Sequence, residues 1–131
     1  MEGVNKPREY PFPSAPNANA YRLFPDDMEN DGFIFFHGTA EKNLAPIVNS
    51  GFIKPDNLSS ISFARNSDLS LRYACEKRDG SSPCGVVLAV RYACLDKPYI
   101  VQEGFGLCVY DFSVQPRVIA YCIVPENYVY S

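Results

Sequence analysis

The chain carries its one imidazole and several hydroxyl groups at spacings suited to a ligand cleft. His37 is the only histidine, and it ends an apolar run at 33–36 that is typical of a buried strand. Gly38 follows directly, where the chain is expected to leave a sheet and where its backbone can approach a ligand closely. Ser70 and Tyr73 stand three residues apart and therefore share a helix face. Together these residues predict a cleft lined by hydroxyl groups and an aromatic ring, with one imidazole in it. Taken singly, each also has a purely structural explanation.

The hydrophobic pattern predicts the elements that position these residues. Strands are expected at 33–37, 61–64, 85–90, 99–101, 108–112 and 117–124, and helices at about 44–50 and 67–77. The run at 85–90 is apolar on both faces, which favours a central strand. In the first helix Asn43 is the expected N-cap and Gly51 the residue that ends it, with Leu44, Ile47 and Val48 as the buried stripe. The pattern predicts an α+β domain with two short helices.

The first thirty residues differ in composition from the rest. They contain five of the eleven prolines and no hydrophobic periodicity. The sequence therefore predicts an extended or disordered N-terminal arm at 1–30 and one folded domain at 31–131. Five apolar or aromatic side chains could still hold the arm against that domain: Tyr10, Phe12, Tyr21, Leu23 and Phe24.

Composition excludes several classes of protein. Hydrophobic residues make up 47% of the 131 residues, which is enough for a packed core without metal or disulfide support. The net charge is −3 and the lysines and arginines are scattered, which argues against a nucleic-acid partner. Five cysteines without a Cys-x-x-Cys pair, and one histidine, predict neither a metal site nor a disulfide framework. No signal peptide or membrane span is expected, so we expect a cytoplasmic protein, or one delivered into a host cytosol if it is an effector.

The ordered motifs resemble those of the ADP-ribosyltransferase superfamily, on its poly(ADP-ribose)-polymerase-like, diphtheria-toxin-like side. That family has a His-Gly-Ser/Thr motif, a short helix ending in Gly, a strand close to Ile-Tyr-Phe-Ala, and a helix with Ser and Tyr three apart. The matching segments here are His37-Gly38-Thr39, then 43–51, Ile61-Ser62-Phe63-Ala64 and Ser70-Leu71-Arg72-Tyr73. The resemblance covers about residues 33–124 and implies a compact ADP-ribosyltransferase-like split β-sheet fold.

The resemblance implies a mono-ADP-ribosyltransferase that uses NAD as its substrate, releases nicotinamide and modifies an acceptor, expected to be a protein. The main chain of Gly38 would hold the carboxamide, the Ser70 hydroxyl would assist, and Tyr73 would stack on the ring, with Phe63 and Tyr92 as weaker candidates for stacking. In the family the histidine binds the adenosine ribose, a role carried here to His37 with help from Thr39. The NAD-binding set is His37, Gly38, Thr39, Ser62, Phe63, Ser70 and Tyr73, and the catalytic set is His37, Tyr73 and Glu103.

Two positions depart from the family pattern. Ser62 stands where the family strand has tyrosine, and with Ser60 it is similar to the Ser-x-Ser strand of the arginine-serine-glutamate toxin branch, unless both are simply polar edge residues. Gly106 stands where the catalytic glutamate belongs. Glu103, in the same glycine-rich loop, could swing into the cleft, and Asp111 is a second candidate.

Two other functions stay open. The departures favour a catalytically inactive module that binds NAD or a protein on the same fold. An RNA 2′-phosphotransferase-like enzyme would need a basic cleft, which only Arg65, Arg72 and Arg91 could build.

Overall fold

The computed structural model describes residues 6–53 and 59–130, which form an α+β structure around one seven-stranded sheet. The strands are β1 (Arg8–Glu9), β2 (Ile34–Ala40), β3 (Ile61–Ala64), β4 (Gly85–Arg91), β5 (Ile100–Glu103), β6 (Gly106–Val109) and β7 (Arg117–Val124). The α-helices are α1 (Asp26–Glu29), α2 (Leu44–Ser50) and α3 (Ser67–Glu76), and 3₁₀ turns lie at Pro16–Asn19 and Glu41–Asn43. The predicted α+β class is therefore confirmed. No helix in the part of the chain described is long and apolar enough to cross a membrane.

The sheet is almost wholly antiparallel, in the order β1-β7-β4-β2-β3-β6-β5, with β1 alone parallel to its neighbour β7. β4 lies between β7 and β2 and is buried from Gly85 to Val90, which confirms it as a central strand. β2 pairs with β4 over its whole length, from Ile34 to Ala40. On its other side β2 pairs with β3 only at Phe36 and Ala64. The sheet therefore opens between β2 and β3 beyond that single position.

Each face of the sheet has its own apolar core. On one face Phe36 packs with Leu71 and Ala74 of α3, and with Leu23 and Phe24 from the N-terminal segment. The other face is aromatic and its buried members include Phe35, Phe52, Phe63, Tyr92 and Leu107. Because side chains alternate along a strand, His37 points toward the aromatic face and Gly38 toward α3.

Residues 6–30 belong to the packed domain. β1 extends the sheet beside β7, and Leu23 and Phe24 are buried. The buried Glu29 carboxylate accepts hydrogen bonds from the Phe24 amide, at 3.3 Å, and from the amide of Ser67 at the start of α3, at 3.1 Å. These bonds tie the segment to the helix, so the described part of the predicted arm is an integral layer of the fold.

Two local predictions are wrong. The chain does not leave the sheet at Gly38, because β4 offers pairing partners as far as Gly85 and β2 therefore continues to Ala40. The bounds of α2 are as predicted, but none of its residues is buried, and Val48 is 38% exposed. Ile47 alone of the predicted stripe packs at the edge of the aromatic core.

Candidate functional site

A cleft of about 1100 Å³ opens where β2 and β3 separate. This volume lies near the upper end of the usual range for ligand sites. All seven residues of the predicted binding set line it: His37, Gly38, Thr39, Ser62, Phe63, Ser70 and Tyr73. One flank is the face of α3, and the other is formed by α2 and residues 51–53.

The main chain of Gly38 presents a hydrogen-bond donor and acceptor toward this cleft. The Glu41 amide donates to the Cys84 carbonyl at 3.0 Å, and the Tyr92 amide donates to the Phe33 carbonyl at 2.9 Å. Because antiparallel pairs alternate, the odd-numbered residues of β2 hydrogen-bond to β4. The N–H and C=O of Gly38 therefore point toward β3, at a position where β3 has already separated from β2.

Gly38 lacks a side chain because α3 lies directly over it. A Cβ atom added there would lie 2.8 Å from the Ala74 nitrogen and closer still to the Ser70 carbonyl oxygen. The space beside Gly38 thus admits the helix rather than a ligand, which corrects the reason given for glycine at this position. The close approach sets Ser70 and Tyr73 beside the Gly38 main chain at the cleft wall.

His37 spans the gap between the two strands. Its Nδ1 lies 3.0 Å from the Ser62 carbonyl oxygen, which can only accept, so Nδ1 carries the proton. The ring packs between Phe52 and Phe63, with both centroid distances 5.4 Å. Burial lowers the pKa of His37, the Ser62 hydrogen bond opposes this, and the charge of Lys77 lowers the pKa further. The neutral ring then leaves Nε2 as a hydrogen-bond acceptor, suited to a ligand hydroxyl.

Lys77 and Asn43 are among the lining residues that the sequence reasoning missed. Lys77 follows Tyr73 by four positions and therefore shares its helix face, a signal present in the sequence. Asn43 lines the cleft and donates from Nδ2 to Thr39 Oγ1 at 2.9 Å. Its side chain does not cap α2 as predicted, because it is turned toward the strand instead.

Glu103 and Asp111 lie away from the cleft. Glu103 is exposed and sits opposite Gly106 in the β5–β6 ladder, so the predicted loop is a tight hairpin that holds this carboxylate outside the lining. Asp111 is exposed and accepts a hydrogen bond from the Ser113 amide at 2.8 Å, which lowers its pKa. No carboxylate is found among the described residues that line the cleft.

The other predicted contributors are also placed elsewhere. Tyr92 is buried, 4% exposed, within the aromatic core and is absent from the cleft lining, so it does not provide a stacking face. Arg65 lies 4.5 Å above the ring centroid of a core phenylalanine. Arg72 pairs with Glu76 and Arg91 with Asp31. The three arginines therefore do not build a basic cleft.

Comparison with family models, with curated proteins and with solved structures finds no match to this chain. Within residues 6–53 and 59–130, no cluster of histidine, cysteine and acidic side chains could hold a metal ion. The site must therefore be interpreted from its own geometry.

Proposed function

We propose that the cleft between β2 and β3 binds NAD and that the protein is a mono-ADP-ribosyltransferase. The observation that carries this proposal is the convergence, in one cleft, of the seven residues predicted to bind NAD. Residues from three separate elements, β2, β3 and α3, meet there although they are up to thirty-six positions apart in sequence.

The nicotinamide end of the ligand fits the wall formed by Gly38 and α3. A carboxamide needs one donor and one acceptor side by side, and the cleft-facing N–H and C=O of Gly38 supply both. Ser70 lies directly against Gly38 and lines the same wall. Tyr73 is 46% exposed at the cleft, so its ring is available to stack on a flat heterocycle. A hydroxyl of the adenosine ribose would donate to Nε2 of neutral His37.

The transfer would break the bond between the ribose C1′ and the pyridinium nitrogen. The bonding electron pair leaves with the ring as neutral nicotinamide, an acceptor lone pair forms the new bond to C1′, and the acceptor proton passes to solvent. The transition state carries positive charge on the sugar, which a nearby carboxylate would stabilise. Rigid orientation of the two ends of NAD would lower the barrier independently of such a group.

A second candidate is an NAD-binding module without turnover. It is favoured by a specific observation, since no carboxylate occurs among the described lining residues and Glu103 is held in the hairpin opposite Gly106. The two candidates agree on the ligand and differ in the chemistry.

Calorimetry with NAD, followed by measurement of nicotinamide release with a protein lysate as acceptor source, tests both candidates. Both predict saturable binding that is weakened at least tenfold in Tyr73→Ala. Arg72→Ala, on the same helix but outside the lining, serves as the control. Release of nicotinamide with label transfer to protein supports the transferase, and binding without release supports the module. Absence of NAD binding by the folded protein would refute both.

If turnover is found, Glu103→Gln asks whether the hairpin carboxylate takes part. The observed geometry predicts that this variant keeps the rate of the parent protein within about twofold, because the side chain lies outside the lining. A loss of a hundredfold or more would mean that the hairpin rearranges when NAD binds.

A further inference from the structure

Lys77 extends the ligand-facing surface of α3 beyond the predicted binding residues. It ends the helix as the C-cap residue, and its backbone amide donates to the Tyr73 carbonyl at 3.0 Å. Ser70, Tyr73 and Lys77 all line the cleft and follow one another along a single face of α3. With a rise of 1.5 Å per residue, the Cα atoms of Ser70 and Lys77 are about 10 Å apart along the helix axis.

The cleft has a positively charged side chain at this end, although the whole chain has a net charge of −3. Lys77 is the one lysine or arginine among the described lining residues, and they include no carboxylate to oppose it. In the described structure Lys77 has no ion-pair partner, whereas Arg72, on the same helix, pairs with Glu76 at 3.3 Å. Its ammonium group is therefore free to bind an anion.

The charge of Lys77 also affects the ionisation of His37. The positive charge of Lys77 lowers the pKa of His37, so protonated His37 and Lys77 repel one another. An anion bound at Lys77 would weaken that repulsion. His37, Tyr73 and Lys77 thus line one cleft, in which Lys77 supplies the positive charge and the other two side chains are neutral.

We propose that Lys77 forms an anion subsite that binds the phosphate groups of the dinucleotide. The inference rests on the proposed function for the identity of the ligand. If the carboxamide binds at Gly38, the ring on Tyr73 and the dinucleotide follows α3, the ribose and then the pyrophosphate would come next, toward the end of the helix where Lys77 stands. Lysine binds phosphate as a point charge, so contact through a flexible side chain is sufficient.

A purely structural role for Lys77 is the alternative. A cation at a helix C-terminus stabilises the helix macrodipole and can do so without any ligand. That role predicts a lower melting temperature for Lys77→Gln and an equal loss of affinity for all ligands. The anion subsite predicts instead that weakening depends on whether the ligand carries phosphate.

The experiment compares the parent protein with Lys77→Gln and with Arg72→Gln, which removes one positive charge from the same helix outside the cleft. Affinities are measured for NAD, for inorganic pyrophosphate and for nicotinamide, which carries no phosphate, at low and high salt. Lys77→Gln is expected to lower the affinity for NAD and for pyrophosphate about tenfold at low salt and to leave the affinity for nicotinamide unchanged. Arg72→Gln is expected to change each affinity less than twofold.

An NMR titration of the His37 ring gives a second measurement, and it is unambiguous because the chain has one histidine. Pyrophosphate is expected to raise the His37 pKa in the parent protein and to leave it unchanged in Lys77→Gln. Equal affinity of parent and Lys77→Gln for both anions would overturn the inference while leaving NAD binding intact. Lys77-dependent binding of pyrophosphate without binding of NAD would instead overturn the proposed function and keep the subsite. The anion subsite would be overturned if neither anion bound, or if Lys77→Gln lowered the affinity for nicotinamide as much as the affinities for the two anions.

Discussion

Gly38 packs against α3 and its main chain lines the candidate site, so its substitution by alanine tests both the packing and the site. The new Cβ atom would lie 2.8 Å from the Ala74 nitrogen and nearer to the Ser70 carbonyl oxygen, distances that real Cβ atoms essentially never show. The obstructing atoms belong to helix backbone and cannot move as a flexible side chain would. α3 must therefore shift away from β2, and Leu71 and Ala74, both fully buried, move with it. We expect Gly38→Ala to lower the free energy of unfolding by about 3 kcal/mol or more, the upper end of measured overpacking costs.

The matched control is Gly80→Ala, because nothing lies within 4 Å of a Cβ added at that position. It is expected to change the free energy of unfolding by no more than about 0.5 kcal/mol. Urea unfolding followed by circular dichroism measures both variants, and calorimetry measures their affinity for NAD. Loss of NAD binding is expected for Gly38→Ala even at temperatures where it remains folded, because Ser70 and Tyr73 are displaced from the Gly38 main chain. A Gly38→Ala protein as stable as the control, and with parental affinity, would refute this account of the site.

Three further outcomes are expected. Tyr92→Phe should leave the free energy of unfolding in urea unchanged or raise it by up to about 2 kcal/mol, because the buried Tyr92 hydroxyl has no hydrogen-bond partner in the described structure. A decrease of similar size would contradict this and indicate that the hydroxyl does have a partner. Burial lowers the His37 pKa, so the unfolded chain binds its proton more tightly, and the free energy of unfolding should fall as pH drops through about 6.5. His37→Gln should lack that fall between pH 7.5 and 5.5, and an equal fall in both proteins would exclude His37 as its source. Phe105→Glu, which puts a carboxylate on the cleft lining, should raise the rate of nicotinamide release at least tenfold over Phe105→Gln.

Local sequence signals predicted most of the elements. The limits of α2 at 44–50, of β3 at 61–64 and of β7 at 117–124 are those observed. α3 was predicted at 67–77 and is observed at Ser67–Glu76, with Lys77 as its cap. Gly51, with a φ of 88°, ends α2 in a backbone conformation that glycine adopts more readily than other residues. These features depend on periodicity and capping, which are encoded within a few residues.

Features decided by distant partners were not predictable. β2 continues through Gly38 because β4, some fifty residues later, supplies its pairing partners. The residues around Gly38 carry no sequence pattern that predicts this continuation. α2 has an apolar stripe but lies at the rim of the domain, so the stripe is not buried. Glu103 was expected to be mobile from its glycine neighbours, yet cross-strand pairing with Gly106 fixes it. Lys77 was detectable by helical spacing but carries no motif of its own.

The two positions that depart from the family pattern, Ser62 and Gly106, lie close together in the sheet. Ser62 and Gly106 lie on adjacent strands, β3 and β6, which pair in register from Ile61–Val109 to Ala64–Gly106. A Cβ atom at position 106 would lie 2.9 Å from the Ala64 Cα and closer to the Phe63 carbonyl oxygen, and the φ of 155° there also disfavours any side chain. Any glutamate at 106 would therefore require β3 and β6 to separate. A catalytic carboxylate cannot be restored at that position by substitution alone, whereas the neighbouring Phe105 already lines the cleft. If this protein transfers ADP-ribose with the help of a carboxylate, that carboxylate must differ in position from the family glutamate, because β3 lies in close contact with Gly106.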